Sequence, residues 1–106
     1  MGEAHAFTEA ARLLHDARTS GNRAAVVKAL KHNLNLWTQL QAEISQPGHK
    51  MSEGLRANLL QLSVFVDRRT IEALSDPNPD LLEALVEINR QLAQGQMTPS
   101  PESPSP

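Results

Sequence analysis

The stretch from residue 55 to residue 70 most constrains the fold of this chain, because its helical spacing makes it apolar on more than one side. One stripe consists of Leu55, Leu59, Leu62 and Val66, and a second of Leu60, Val64 and Ile71, with Phe65 between them. Such a helix needs cover from neighbouring helices or from another protein. We expect the first stripe to form core. The second stripe and the charged end at residues 67–70 are then left for a partner.

Three further stretches show the three- and four-residue apolar spacing of amphipathic helices. Between the stretches lie capping and turn residues, among them Gly21, Ser52 and Asn78 followed by Pro79. The predicted helices cover about residues 3–18, 23–45, 52–74 and 79–94. No stretch alternates as a half-buried strand would. The pattern therefore predicts an all-α protein, a small antiparallel bundle of three to four helices in a single domain of residues 1–95.

The two ends of the chain look less able to contribute to a core. The first helix is rich in alanine and thin in larger apolar residues, so we expect it to bury little and either to pack loosely or to depend on its neighbours. Residues 96–106 repeat Ser-Pro, which cannot sustain a helix and has little to bury. We predict that this Ser/Pro-rich tail is disordered.

Composition argues against several classes of function. The 106 residues carry a formal net charge of −2 with 3% aromatic residues, which does not favour DNA binding and leaves RNA binding a minority hypothesis. That hypothesis rests on one basic cluster, Arg23, Lys28, Lys31 and His32. No apolar run suits a signal peptide or a membrane span. We therefore expect a cytoplasmic protein.

The residue types needed for catalysis or metal binding occur here without the required spacing. With no cysteine, thiolate chemistry is excluded, and no two of the four histidines are three or four residues apart. Glu83 and Glu87 share a helix face, an arrangement that is usually solvated. We expect no enzyme, no metal site and no cofactor.

Polar and aromatic residues on the apolar stripes admit two interpretations. Asn33 and Asn89 lie near the packed sides of their helices, and with Asn58 they could form interhelical hydrogen bonds or polar anchors of a binding surface. We favour hydrogen bonds between helices. Trp37, the only tryptophan, could likewise be core or an interface anchor, and core is the stronger interpretation.

Three blocks of the chain carry a pattern beyond helix periodicity. Residues 29–37 fit Ala-Leu-x-x-Asn-x-x-Leu-Trp, residues 55–70 are a leucine-rich run ending in Val-Asp-Arg-x-Thr, and residues 85–95 contain Ile-Asn-Arg followed by Gly. In this order and at these separations the blocks resemble the FlaF family, small flagellar biosynthesis proteins of bacteria. The resemblance spans about residues 24–95. It omits the first helix, which lacks the Pro-Arg-Glu segment that the family often carries.

The resemblance implies a non-enzymatic, cytoplasmic factor for bacterial flagellum biogenesis. Such a protein would bind unassembled flagellin and support its secretion like an export chaperone, acting beside FlbT, a regulator of flagellin translation. The alternative is a post-transcriptional regulator of flagellin synthesis, acting on flagellin mRNA directly or with FlbT. A third hypothesis is a structural bundle whose apolar faces cover each other or a second copy. The residues expected to contact a partner are Trp37, Phe65, Arg68, Arg69, Asn33, Asn58, Leu60 and Val64.

Overall fold

The structure, a computed structural model, describes residues 2–46, 48 and 51–95, with side chains from residue 5 onward. Its helices are α1 (Gly2–Ser20), α2 (Arg23–Ile44), α3 (Glu53–Ser75) and α4 (Pro79–Ala93), and the described residues contain no strand. The all-α prediction is confirmed, and each described boundary lies within two residues of the predicted one. The predicted disorder of residues 96–106 lies outside the described residues.

Local capping explains where the helices begin. The side-chain oxygen of Asn22 accepts hydrogen bonds from the backbone N–H groups of Ala24 (2.9 Å) and Ala25 (3.3 Å) at the start of α2. Before it, Gly21 has a φ of 68°, a left-handed conformation that ends α1 and turns the chain toward α2 within one residue. Asn78 caps α4 in the same way as Asn22 caps α2, with Pro79 at the first helical position.

The helices form a four-cornered bundle in chain order. α1 packs on α2 and α4, and α3 packs on the same two helices. Among the described residues no close backbone approach joins α1 to α3 or α2 to α4, so these pairs are diagonal. α1 and α4 run antiparallel, as the ion pair of Arg18 at the end of α1 with Glu83 near the start of α4 shows (3.9 Å).

The expectation that α1 packs loosely is wrong. Its most extensive pairing is with α4, and it contributes five buried apolar residues to the core. These residues are Phe7, Ala10, Ala11, Leu14 and Ala17. The physical reason is the small size of alanine. Because its side chain is a single methyl group, the two helix backbones approach closely, and even these small side chains are then enough to exclude water from the contact.

The inward face of α3 is also rotated from the predicted stripe. Leu59 and Val66 are buried, but Leu55 and Leu62 are only half-buried. The rest of the inward face consists of Ser63, Thr70 and Ala73. The two hydroxyl groups can be buried because each donates to a carbonyl of its own helix, Ser63 to Leu60 (2.8 Å) and Thr70 to Val66 (2.7 Å).

Candidate functional site

A chain of buried hydrogen bonds crosses the centre of the bundle. The indole Nε1 of Trp37 donates to Oδ1 of Asn89 (2.9 Å), and Nδ2 of Asn89 donates to Oδ1 of Asn33 (2.7 Å). Nδ2 of Asn33 then donates to the hydroxyl of Thr70 (3.3 Å), whose own proton goes to the Val66 carbonyl. Each side-chain oxygen in this network therefore accepts a hydrogen bond, which removes much of the penalty for burying it.

The hydrogen bonds of this network join three of the four helices, and α1 contacts it through an aromatic ring. α2 contributes Trp37 and Asn33, α3 contributes Thr70, and α4 contributes Asn89. On the remaining side, the ring of Phe7 from α1 meets the Trp37 indole edge-on, with centroids 5.2 Å apart and planes at 73°. A directional network at one level of the bundle favours a single register of α2, α3 and α4 over sliding alternatives.

The network decides between the two interpretations of the polar residues on the helices. The interpretation of Asn33 and Asn89 as interhelical hydrogen-bonding partners is confirmed, and Trp37 is core. The expectation that Trp37 and Asn33 contact a partner needs correction, because both side chains are fully buried. Asn58 differs from the other two asparagines: it is exposed on α3 and takes no part in the network.

The charged end of α3 is divided between the two sides of the helix. Asp67 turns toward α2, where one carboxylate oxygen accepts a hydrogen bond from Nε2 of Gln41 (2.8 Å). Its other carboxylate oxygen is buried without a hydrogen-bond partner. Thr70 faces the core, whereas Arg68 is exposed and Arg69 half-buried at the surface. Sequence reasoning missed the inward roles of Asp67 and Thr70. Helical spacing offered a signal for Thr70, which follows the buried Val66 by four residues.

In the described part of the chain, the large apolar side chains that are exposed all lie on the outward side of α3. Val64, Phe65 and Ile71 are 53%, 43% and 56% exposed. The guanidinium of Arg69 lies 5.0 Å from the centre of the Phe65 ring and also pairs with Glu72 (2.8 Å). A shallow depression of about 530 Å³ runs along this side. Its lining is Phe65, Arg68, Arg69, Ile71, Glu72, Ser75 and Asp76.

We call this outward side the α3 face, comprising Val64, Phe65, Arg68, Arg69 and Ile71. It brings together four of the eight residues predicted for partner contact. Of the others outside the core, Leu60 is half-buried one turn before Val64, and the exposed Asn58 lies two turns before Phe65. The α3 face can bind an apolar partner with a carboxylate, because it offers exposed hydrocarbon beside guanidinium groups.

Neither a metal-holding group of side chains nor a membrane-spanning helix is found among the described residues. Within them, no three His, Asp or Glu side chains are grouped so that they could hold a metal ion. None of the helices described is long and apolar enough to cross a membrane.

The three sequence blocks that resemble FlaF meet in this structure. The first supplies Asn33 and Trp37, the second Thr70, and the third Asn89. No solved structure matches the chain. The profile of a family described as flagellar protein FlaF matches residues 1–96, which includes α1, the helix outside the sequence resemblance. The chain belongs to the FlaF family of flagellar proteins.

Proposed function

We propose that this protein is a non-enzymatic factor that binds unassembled flagellin in the cytoplasm and supports its secretion in a chaperone-like way. Membership of a flagellar family supports a flagellar role. The observation that carries the finer proposal is the α3 face, where three large apolar side chains are exposed on one helix. Single exposed apolar residues are ordinary on protein surfaces, but a contiguous group on one helix is typical of interaction sites.

The chemistry of the α3 face suits an amphipathic helix from flagellin. A helix laid against α3 would cover Val64 and Ile71, which are two turns apart on its outward side. Covering the exposed half of each large side chain contributes about 1 kcal/mol. After the loss of translational and side-chain freedom, this favours weak, reversible binding, which a secretion factor needs in order to release its cargo.

Charge on the α3 face adds orientation to this contact. Among the described residues Arg68 has no ion-pair partner, whereas Arg69 is already held by Glu72 and the Phe65 ring. A carboxylate on the bound segment can therefore pair with Arg68 without breaking an existing ion pair. Such a pair sets the direction in which the flagellin helix lies along α3.

A second candidate function is post-transcriptional control of flagellin synthesis, acting on flagellin mRNA directly or with FlbT. It is supported by the exposed cluster on α2, in which Arg23, Lys28 and Lys31 have no ion-pair partner within the described residues. The only tryptophan and Phe7 are buried, so neither offers a stacking surface beside this cluster. This arrangement favours the flagellin-binding proposal over direct RNA binding.

Calorimetry with purified flagellin tests the proposal. The variant Val64→Ser/Ile71→Ser should weaken flagellin binding at least about tenfold, which corresponds to about 1.4 kcal/mol. Its melting temperature should match that of the parent, because both side chains are more than half exposed. Ala84→Ser, at an exposed position on α4, is the control and should bind normally. Absence of flagellin binding by the parent protein would refute the proposal.

A deletion strain separates secretion from synthesis. The proposal predicts normal flagellin synthesis with failed export. The regulatory alternative predicts altered flagellin synthesis and, for direct RNA contact, a gel shift that weakens steeply with salt. If the α3 face instead pairs two copies of this chain, light scattering will show a dimer that Val64→Ser/Ile71→Ser converts to a monomer.

A further inference from the structure

A second surface lies between α1 and α2, away from the α3 face. Two adjoining depressions of about 400 Å³ and 270 Å³ run along this side of the bundle, and His32 lines both. We call them together the α1/α2 groove. Its apolar lining consists of Ala6, Leu13, Ala17, Ala25, Ala29 and Leu36.

The shape of the α1/α2 groove follows from its small side chains. Ala17, Ala25 and Ala29 bring only methyl groups to the crevice between the two helices, so the crevice is not filled. Half-buried Leu13 and Leu36 add larger apolar surface. Along α2 the lining extends from Ala25 to Gln39, which at about 1.5 Å per residue is about 21 Å, or four helical turns. These dimensions match the apolar edge of one short helix.

Charge along the α1/α2 groove is unequal on its two sides. On α1, Glu9 and Asp16 both pair with Arg12 of their own helix. The hydrogen bond from Arg12 lowers the pKa of Glu9, with smaller contributions from His5 and from His32 across the groove. On α2, Lys28 lines the groove without an ion-pair partner among the described residues.

The positive charge on the α2 side is not neutralised by a nearby acidic residue of the same helix. Of the basic residues Arg23, Lys28 and Lys31 in the first half of α2, Lys28 lines the groove, and the helix contains no acidic residue before Glu43. The α2 side therefore attracts an anionic group, while the α1 side is already compensated by Arg12. A ligand that matches the whole groove is apolar along its centre and acidic along one edge.

An acidic helix fits these features better than RNA does. Within the described lining Lys28 is the only lysine or arginine, whereas RNA carries a phosphate at every nucleotide and binds through several such contacts. An apolar floor also offers nothing to a sugar-phosphate backbone. A protein helix can place hydrophobic side chains on the floor and carboxylates on the α2 side only.

We propose that the α1/α2 groove binds one amphipathic helix of a partner protein, about four turns long, with a carboxylate opposite Lys28 on the edge that faces α2. This site is distinct from the α3 face, because α3 is diagonal to α1 in the bundle and does not line the groove. The protein can therefore hold two partners at once. The inference does not depend on flagellin being the ligand of the α3 face.

A display library of helical peptides tests the groove directly. Every peptide has about four turns and a leucine and alanine stripe at helical spacing, while its flanking positions vary among Glu, Lys and Gln. Selection on the purified full-length chain should enrich Glu on one flank. The best synthetic peptide should bind at least about tenfold tighter than its Glu-to-Lys counterpart, and the difference should shrink in high salt.

Three variants locate the selected peptide. Ala25→Leu fills the groove, and Lys28→Glu reverses its free charge; each should weaken binding at least about tenfold. Arg90→Glu removes an exposed arginine on α4 and should bind like the parent. Circular dichroism must show unchanged helicity and melting temperature for each variant before its affinity is compared. Ala25→Leu should leave flagellin binding unchanged if flagellin binds the α3 face.

Several outcomes would overturn the inference. They are a selection that yields no saturable binder or shows no acidic bias, and a peptide whose affinity survives Ala25→Leu. An RNA oligomer that binds in a Lys28-dependent, Ala25→Leu-insensitive manner would identify this side as an RNA surface instead. If flagellin binding fails at the α3 face while the peptide results hold, only the proposed function is lost.

Discussion

The indole Nε1 of Trp37 donates a 2.9 Å hydrogen bond to the Asn89 side chain across the diagonal of the bundle. Their helices, α2 and α4, make no close backbone approach to each other. The bond, together with the one from Asn89 to Asn33, therefore links two helices that would otherwise meet only through core side chains. The Asn89 amide therefore helps to fix the register of α4 against α2, and it also gives the buried Trp37 N–H and the Asn33 oxygen a hydrogen-bond partner.

Asn89→Ala should lower the free energy of unfolding by about 3 kcal/mol. The change leaves the buried Trp37 N–H and the Asn33 oxygen without partners, and each unsatisfied group costs about 1–3 kcal/mol. Urea denaturation measures the difference. Asn58→Ala, at an exposed site, is the control and should change stability by less than about 0.5 kcal/mol. Equal effects from the two variants would contradict the network.

Leu14→Ala tests whether α1 belongs to the core. Leu14 is fully buried, so its truncation should lower the free energy of unfolding by about 2–5 kcal/mol. The neighbouring Leu13 is half-buried beside the α1/α2 groove, and Leu13→Ala should have a clearly smaller effect. Thermal unfolding followed by circular dichroism ranks the two variants. A bundle insensitive to Leu14→Ala would restore the idea of a loosely attached first helix.

Leu59→Ala and Leu62→Ala should separate the inward side of α3 from its flank. Leu59 is 5% exposed, so Leu59→Ala should lower the free energy of unfolding by about 2–5 kcal/mol. Leu62 is half-buried, so we expect a loss of about 1–2 kcal/mol. Chemical denaturation of both variants under one set of conditions gives the comparison. The reverse order would show that α3 is rotated differently about its axis.

Replacing each of two glycines with alanine should change the free energy of unfolding in opposite directions. Gly21 has a φ of 68°, which alanine tolerates poorly, so Gly21→Ala should lower the free energy of unfolding by about 1 kcal/mol. Gly54 lies in the first turn of α3 with open space where a Cβ would lie, so Gly54→Ala should raise it by about 0.4–1 kcal/mol. In thermal melts, Gly21→Ala should therefore unfold at a lower temperature than the parent, and Gly54→Ala at a higher temperature.

Local chemistry was enough to predict the helices and their limits. The apolar spacing of Leu81, Leu85 and Leu92 and the caps at Asn22 and Asn78 act within a few residues of sequence, and the structure confirms them. The same spacing placed Trp37 on the packed side of α2. It could not show that Phe7 meets Trp37, because that contact depends on how α1 is oriented against α2.

The candidate sites were predictable only in part. Helical periodicity left Val64 and Phe65 without a core role, and both are exposed. Periodicity also treated Asp67 and Thr70 as parts of one charged end, although both turn inward. The α1/α2 groove had no sequence signal, since its lining comes from two helices whose alanines look unremarkable when each helix is considered alone.

The sequence by itself determined the class of fold, four amphipathic helices with their caps, and the set of polar residues placed on apolar stripes. Tertiary structure alone decided which of those residues meet and which faces remain open. The reason is that spacing along a helix specifies an angle about its own axis and carries no information about neighbours. Only when four helices pack do Asn33, Thr70 and Asn89 become one network and α3 acquire an outward apolar face.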